Sequence, residues 1–111
     1  MNIVEKTENG VKFIILSGRL DGQTAGELEA SLMVHFDSVD KLILDFSDVA
    51  FVSSAGLRVV LIGARKMAAR KAEYGLCGLK PEVMEVFKMS GFAKIVQIFD
   101  DQATGLAGMQ C

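Results

Sequence analysis

Two adjacent serines, Ser53 and Ser54, lie where the sequence changes from one hydrophobic period to another. Before them, Leu42–Phe46 is a mostly apolar run, too short for a helix and typical of a buried strand. From Leu57 onward, apolar residues recur at steps of three and four and predict an amphipathic helix. A serine hydroxyl at such a junction can accept a hydrogen bond from a free N–H group of the helix. The helix start can also bind an anion, because its N–H groups are unpaired and its dipole is positive there.

Groups for nucleophilic or metal-dependent catalysis are not arranged around these serines. His35 is the single histidine, and neither serine has a glycine two residues before it, as a nucleophile elbow requires. The sequence contains no glycine-rich phosphate loop and no dinucleotide fingerprint. Cys77, Cys111 and one histidine do not have the spacing of a zinc site. The sequence therefore predicts a protein that is not an enzyme and that holds no cofactor or metal.

Five aspartates could meet at one end of the predicted sheet, where loops follow strands in an α/β fold. If two or three of them converged, their carboxylates could hold a magnesium ion. We favour the simpler interpretation that Asp45 and Asp48 form a turn and that the other three are caps. The five residues are Asp21, Asp45, Asp48, Asp100 and Asp101.

Turn and cap residues divide the chain into strands and helices. Asn9-Gly10 predicts a two-residue hairpin turn between an edge strand and an interior strand. Thr24 and Glu27 have capping-box spacing. Pro81 suits the first turn of a helix, and Gly91 suits its end. The predicted elements, in order, are strands over Asn2–Glu8 and Val11–Ser17, a loop over Gly18–Gly22, a helix from Thr24 to Phe36, a strand over Lys41–Phe46, a helix over Ala55–Lys71 that Glu73–Gly75 breaks, a strand over Leu76–Leu79, a helix from Pro81, a strand over Ile95–Phe99, and a short helix capped by Asp100 or Asp101 and reaching Leu106.

This order, β-β-α-β-α-β-α-β-(α), predicts a single α/β domain over residues 1–111. Short connections between helices and strands favour parallel pairing with right-handed crossovers. The N-terminal hairpin supplies the antiparallel part of a mixed sheet. Because the Gly18–Asp21 loop and the Ser53–Gly56 turn both follow strands of this sheet, we expect them to lie side by side.

Composition restricts the classes of partner. A net charge of −2 argues against a general nucleic-acid binder. No stretch reaches the ~20 apolar residues of a membrane span, and no signal-peptide pattern is present. Cys77 in an apolar run and Cys111 as the last residue do not make a disulfide framework. These features predict a soluble cytoplasmic protein with a buried thiol at Cys77 and with no nucleic-acid or membrane partner.

The string Val52-Ser53-Ser54-Ala55-Gly56-Leu57-Arg58, read after an apolar strand and an Asp-rich turn, resembles the signature of anti-sigma factor antagonists of the STAS domain family. Gly18-Arg19-Leu20-Asp21, followed by Thr24 and Ala25, resembles the second landmark of that family. The order of elements fits the family across nearly the whole chain. The resemblance therefore implies a STAS-like fold.

The resemblance also implies a protein-binding module that phosphorylation controls. In the family, the serine two residues before the glycine is phosphorylated; with Gly56 as that glycine, it is Ser54. The unphosphorylated protein would bind an anti-sigma factor that is also an ATP-dependent serine kinase of the histidine-kinase-like ATPase superfamily, and the sigma factor would be freed. The kinase would then release the protein by phosphorylating it, and a PP2C-type phosphatase would reset it. The implied partner-binding residues of this expected monomer are Asp21, Ser53, Ser54, Ala55, Gly56, Leu57 and Arg58.

Alternatives remain open at this stage. Many family members carry aspartate immediately before the phosphorylated serine, whereas this sequence has Ser53, so either serine could take the phosphate. The chain could instead be a small nucleotide- or phosphate-binding module that uses the same helix terminus, or a non-switching scaffold subunit. A β-carbon at Gly56 would either crowd a partner or obstruct the first turn of the helix.

Overall fold

The strands follow one another across the sheet in chain order in the computed structural model, which describes residues 1–109. The five-stranded sheet has the order β1-β2-β3-β4-β5, with β1 antiparallel to β2 and the remaining neighbours parallel. This is the predicted mixed α/β sheet. The elements are β1 (Asn2–Glu8), β2 (Val11–Leu20), α1 (Ala25–Phe36), β3 (Lys41–Val52), α2 (Ser54–Ala69), β4 (Glu73–Cys77), α3 (Pro81–Met89), a 3-10 turn (Phe92–Lys94), β5 (Gln97–Phe99) and α4 (Gln102–Gly108).

The N-terminal hairpin is confirmed. Asn9 and Gly10 have φ angles of 49° and 81°, the left-handed values that a two-residue hairpin turn requires. Glu8 pairs with Val11 directly across this turn. The first strand is an edge strand, as predicted, since β1 has only β2 as a neighbour among the described strands.

The predicted loop over Gly18–Gly22 is correct only for Asp21 and Gly22, and the predicted turn at Asp45 and Asp48 is wrong. Strand β2 continues to Leu20 and β3 continues to Val52, and the two strands stay paired through two register shifts. One shift lies between Gly18 and Arg19, where Gly18 adopts a φ of 114° that few other residues tolerate. Bulges of this kind let a pair of strands continue past residues that look like a turn in the sequence.

Other element boundaries differ by a few residues. Helix α2 ends at Ala69, two residues early, because the chain reverses at Lys71 with a φ of 59°. Strand β4 therefore begins at Glu73, whose N–H donates to the Asp40 carbonyl, and ends before Leu79. The 3-10 turn over Phe92–Lys94 delays β5 to Gln97. The predicted start at Pro81, stop at Gly91 and cap by Asp101 are confirmed.

The capping box at α1 is wrong. The Thr24 side chain does not cap the helix; its hydroxyl donates to the Arg19 carbonyl over 2.7 Å and accepts from the Asp21 N–H over 2.9 Å. Glu27 instead approaches the amino terminus of Met1, at 3.9 Å. Asp21 takes over the local capping role, since its Oδ1 accepts from the N–H groups of Gln23 and Thr24.

The core has two parts, one on each face of the sheet. Helices α1, α2 and α3 cover one face, where Ile14 and Leu16 are buried. On the other face, residues of α4 and Met109 pack against Val11 and Phe13. Strand β2 therefore buries alternate side chains on both faces, as the predicted interior strand does. The thiol of Cys77 is fully buried, as expected, whereas Cys111 lies outside the described residues.

None of the helices within residues 1–109 is long and apolar enough to cross a membrane.

Candidate functional site

The ends of β2 and β3 and the start of α2 form one corner of the molecule. Arg19 pairs with Phe51 and Leu20 pairs with Val52, and the Ser53 N–H donates to the Leu20 carbonyl over 2.9 Å. The expectation that Gly18–Asp21 lies beside Ser53–Gly56 is thereby confirmed. We name this surface, made of residues 19–21 and 51–58, the serine corner.

Ser53 is fully engaged as the N-cap of α2. Its Oγ accepts from the Gly56 N–H over 3.4 Å, and its carbonyl accepts from the Leu57 N–H over 2.9 Å. Its φ and ψ of −91° and 175° are extended, as an N-cap residue requires. With its N–H on Leu20, Ser53 uses both backbone groups and its side chain to fix the corner.

Ser54 is held only by its backbone. It is the first residue of α2 and is exposed. Among residues 1–109 its hydroxyl has no hydrogen-bond partner, and the N–H groups of Ser54 and Ala55 donate no hydrogen bond. The first turn of α2 contains no acidic residue, whereas α1 and α3 carry Glu27 and Glu82 there. The positive end of the α2 dipole is therefore not compensated by a local carboxylate.

Gly56 and Leu57 support the corner from beneath. A β-carbon at Gly56 would lie 2.5 Å from Cγ and 3.1 Å from the carbonyl oxygen of Leu20, and Leu57 is only 9% exposed. Both have little surface to offer a partner. Arg58 is exposed one turn after Ser54 and lies on the same side of the helix. Ala55 is half-buried.

Asp21 is held in a tight turn at the edge of the corner. Its Oδ1 accepts from the Gln23 N–H over 3.0 Å and from the Thr24 N–H over 3.2 Å. The Gln23 bond, followed by those from Thr24 and the charge of Arg19, lowers the pKa of Asp21 below its usual 3.8. The carboxylate is therefore charged throughout the physiological range and is available at the surface.

Arg19 and Phe51 belong to the site but were missed by the sequence reasoning. The Arg19 guanidinium lies over the Phe51 ring, 4.3 Å from its centroid, and the Arg19 Nε lies 3.7 Å from Oδ2 of Asp21. A β3 strand that ended at Phe46 left Phe51 in a turn. Strict alternation from Val49 would have placed Phe51 on the buried face, because the register shift between Gly18 and Arg19 interrupts the alternation here.

The aspartates are dispersed, and no group of three metal-ligating side chains occurs within residues 1–109. Asp45 and Asp48 lie in β3, opposite Ile15 and Ser17 of β2. Asp45 is buried, accepts from the Ser47 N–H over 2.8 Å and also accepts from the side-chain amide of Gln102. Asp101 caps α4 by accepting from the Thr104 N–H over 2.8 Å.

His35 does not contribute to the corner. It lies in the last turn of α1, whereas Asp21 lies before the first turn of that helix. Its Nε2 is 3.2 Å from Oε2 of Glu5 on β1, a close contact without hydrogen-bond geometry. The hydrogen bond from Lys12, followed by the His35 contact, lowers the pKa of Glu5 below its usual 4.5.

A family model described as the STAS domain matches residues 2–105. The chain belongs to the STAS domain family. One relative is BtrV of Bordetella bronchiseptica, assigned as an anti-sigma factor antagonist, with 35% identity over 103 residues that cover 92% of this chain and 89% of BtrV. The STAS fold seen here is therefore the fold that the signature implied.

Solved structures share this STAS fold at low identity. An anti-sigma factor antagonist from Mycobacterium paratuberculosis superposes with a TM-score of 0.91 at 23% identity, over 99% of this chain and 94% of that one. SpoIIAA in its unphosphorylated form gives a TM-score of 0.84 at 20% identity, over 98% and 96% of the two chains. The phosphorylated form of the Bacillus protein SpoIIAA gives 0.77 at 20% identity, over 98% and 100%.

Proposed function

We propose that this STAS protein is an anti-sigma factor antagonist. In its unphosphorylated form it binds, through the serine corner, an anti-sigma factor that is also an ATP-dependent serine kinase of the histidine-kinase-like ATPase superfamily, and the sigma factor is freed. The assignment of BtrV and the names of the solved STAS neighbours support this class of binding protein rather than an enzyme. We expect it to act as a monomer in the cytoplasm.

The observation that carries the proposal is the difference between the two serines. The Ser53 hydroxyl is occupied by the Gly56 N–H, whereas the Ser54 hydroxyl is exposed and has no partner within residues 1–109. A kinase needs a hydroxyl that it can reach and deprotonate without breaking the fold. Ser54 is therefore the proposed phosphorylation site, and Ser53 is the capping residue.

The geometry of α2 favours a switch that leaves the fold intact. Phosphorylation adds about two negative charges at pH 7. At an exposed helix N-terminus such charge is stabilised by roughly 0.3–1 kcal/mol. The N–H groups of Ser54 and Ala55 donate no hydrogen bond among residues 1–109, and the first turn of α2 contains no acidic residue. Both features favour a phosphate on Ser54. The bound partner instead has to desolvate the dianion, and a penalty of ~3 kcal/mol lowers affinity about a hundredfold.

The proposed contact surface follows from exposure. Asp21, Ser54 and Arg58 present polar or charged groups to a partner, and Ser53 and Ala55 lie between them. Gly56 and Leu57 act indirectly by fixing the start of α2 against Leu20. A PP2C-type phosphatase would remove the phosphate from Ser54 and return the protein to its binding state.

Phosphate mapping tests the proposal. Each purified serine kinase of the histidine-kinase-like ATPase superfamily from the source organism is incubated with ATP and the protein, and the product is mapped by mass spectrometry. We expect phosphate on Ser54 in the wild type and in Ser53→Ala, and none in Ser54→Ala. Ser54→Asp should bind the same kinase about tenfold or more weakly. Phosphate on Ser53, or on neither serine with any kinase, would contradict the assignment.

The free N–H groups of Ser54 and Ala55 also favour a second candidate, a module that binds a nucleotide or phosphate without covalent change. Isothermal titration of the protein alone with ATP and GTP separates the two. Micromolar binding without any kinase supports this candidate, and no heat of binding supports the antagonist.

A further inference from the structure

Phe51 is exposed because the end of β3 projects beyond its neighbour β4. Strand β3 pairs with β4 only as far as Asp45 opposite Cys77, whereas it pairs with β2 as far as Val52. The last part of β3 therefore has a strand on one side only. Phe51, two residues before Ser53, is left 40% exposed at this tip.

The Phe51 ring points away from helices α1 and α2. Leu20 and Val52 pair with each other and are both buried in the core beneath these helices. Because side chains alternate along a strand, the preceding pair, Arg19 and Phe51, lies on the opposite face. The serine corner thus presents the Ser54 hydroxyl at the start of α2, and the Phe51 ring on the face of the sheet opposite α1 and α2.

Arg19 holds this ring in place. Its guanidinium lies 4.3 Å from the ring centroid, and its Nε is 3.7 Å from Oδ2 of Asp21, which the turn over Asp21–Thr24 orients. A planar guanidinium stacked on an aromatic face and paired with a carboxylate loses little further freedom on binding. The Arg19 side chain is still 65% exposed, so its outer N–H groups can pair with a partner.

We propose that Phe51, held by Arg19, is the apolar anchor through which the serine corner binds the anti-sigma factor; this inference rests on the function proposed above. Within residues 1–109, the exposed large apolar side chains are Val4, Val34, Phe51, Met89 and Ile95, and of these only Phe51 belongs to the serine corner. Interface energy concentrates in aromatic and arginine side chains at the centre of a contact. The anchor is also continuous with the hydroxyl that the same partner must reach.

The charge pattern defines the chemistry of the partner. Arg19 and Arg58 are exposed within the serine corner, on either side of the Ser53–Gly56 turn. The matching surface is an apolar pocket that accepts the edge of the Phe51 ring and carries a carboxylate at its rim for Arg19. The same carboxylate would repel a phosphate on Ser54, so the anchor and the switch would act on one group of the partner.

The test compares variants in binding to the purified kinase that phosphorylates the wild-type protein. Phe51→Ala should weaken binding at least about tenfold, as truncation of an interface anchor does. Arg19→Lys, which keeps the charge but cannot stack as a plane, should have a smaller effect in the same direction. Met89→Ala removes an apolar side chain that is 81% exposed outside the corner, and it should bind like the wild type.

A second measurement leaves the fold unperturbed. Replacing Phe51 with 4-fluorophenylalanine should give a ¹⁹F resonance that shifts when the kinase is added and returns when Ser54 is phosphorylated. If Phe51→Ala binds as tightly as Met89→Ala, or if the ¹⁹F resonance does not move while the kinase binds, the anchor is wrong although the antagonist function stands. If no kinase binds the wild type, the antagonist function and the anchor fail together.

Discussion

Gly56 lies beneath the side chain of Leu20, and this contact determines which residues the position accepts. A β-carbon there would be 2.5 Å from Leu20 Cγ, 3.0 Å from Cδ2 and 3.1 Å from the carbonyl oxygen. The side chain can move, but the carbonyl oxygen also accepts the Ser53 N–H and is fixed. Of the two sequence interpretations, the geometry favours obstruction within the protein itself.

Gly56→Ala should lower the free energy of unfolding by about 1–2 kcal/mol, because an overpacking cost of up to about 3 kcal/mol outweighs the gain in helix propensity of about 1 kcal/mol. Urea denaturation followed by circular dichroism measures this change.

Gly26→Ala is the matched control, since Gly26 also lies in the first turn of a helix but has no atom within 4 Å of its added β-carbon. It should be neutral or stabilising. If Gly56→Ala were as stable as Gly26→Ala, Leu20 would be shown to move aside without a measurable loss of stability.

The sequence predicted that Asp21 and Ser54 lie in neighbouring segments, because each belongs to a local string whose residue types are informative. It did not predict that Arg19 and Phe51 contact each other there. Arg19 and Phe51 are far apart in sequence and meet only through the parallel register of β2 and β3. That register includes two shifts that the local sequence does not predict. The stacking of Arg19 on Phe51 therefore could not be predicted from the sequence.

Among the elements, α4 depends most clearly on a single polar contact. This short helix covers one face of the sheet, and the amide of its first residue, Gln102, donates to the carboxylate of buried Asp45. A buried carboxylate that loses a donor retains its desolvation cost. Helix α4 and strand β3 are therefore coupled through the Asp45 carboxylate, because the loss of the Gln102 donor would be costly.

Gln102→Ala should lower the free energy of unfolding by about 1–3 kcal/mol, since among residues 1–109 Asp45 would keep only the Ser47 N–H as a donor. Urea titration measures the loss, and hydrogen exchange should show faster exchange across α4.

Gln23→Ala serves as the comparison, because Gln23 is exposed and bonds through its backbone. Equal stability of the two variants would mean that water replaces the amide at Asp45.

Element types followed from hydrophobic period and turn chemistry, whereas several ends did not. Asn9-Gly10, Pro81 and Gly91 act locally, so their predictions were confirmed. The Asp45 and Asp48 segment looked like a turn because aspartate favours turns. In the fold, this stretch pairs with β2, and the Asp45 carboxylate accepts from the Gln102 amide. These tertiary contacts override the local preference for a turn.

At the scale of the whole molecule, the buried phenol of Tyr74 makes the stability of the fold depend on alkaline pH. Tyr74 is buried and donates to the Val60 carbonyl over 3.0 Å, and burial raises its pKa above the usual 10.0. The folded state thus keeps the neutral form while the unfolded chain ionises. Cys77 acts in the same direction, since burial and then the Asp45 charge raise its pKa from 9.0 to about 12.

Stability should therefore be fully present below about pH 9 and fall as the pH rises further, by up to ~1.4 kcal/mol per pH unit for each group. The chain has one tyrosine and no tryptophan, so near-ultraviolet tyrosinate absorbance reports Tyr74 alone. That absorbance should appear only together with the loss of circular dichroism. Tyr74→Phe should be less stable at pH 8 but should show a shallower decline above pH 9. Tyrosinate absorbance near pH 10 in a still-folded protein would contradict the prediction.

The chain-order arrangement of the strands bears on how the protein is synthesised. Each strand pairs with the one made just before it, so a chain leaving the ribosome can extend its sheet one strand at a time. The hairpin can close first, β3 then adds to β2 once α1 has emerged, and the serine corner is formed when α2 has followed. Strand β5 and α4 are the last of the described elements and cover Ile43 and Cys77, so the thiol is open to modification until these two elements have folded onto the sheet.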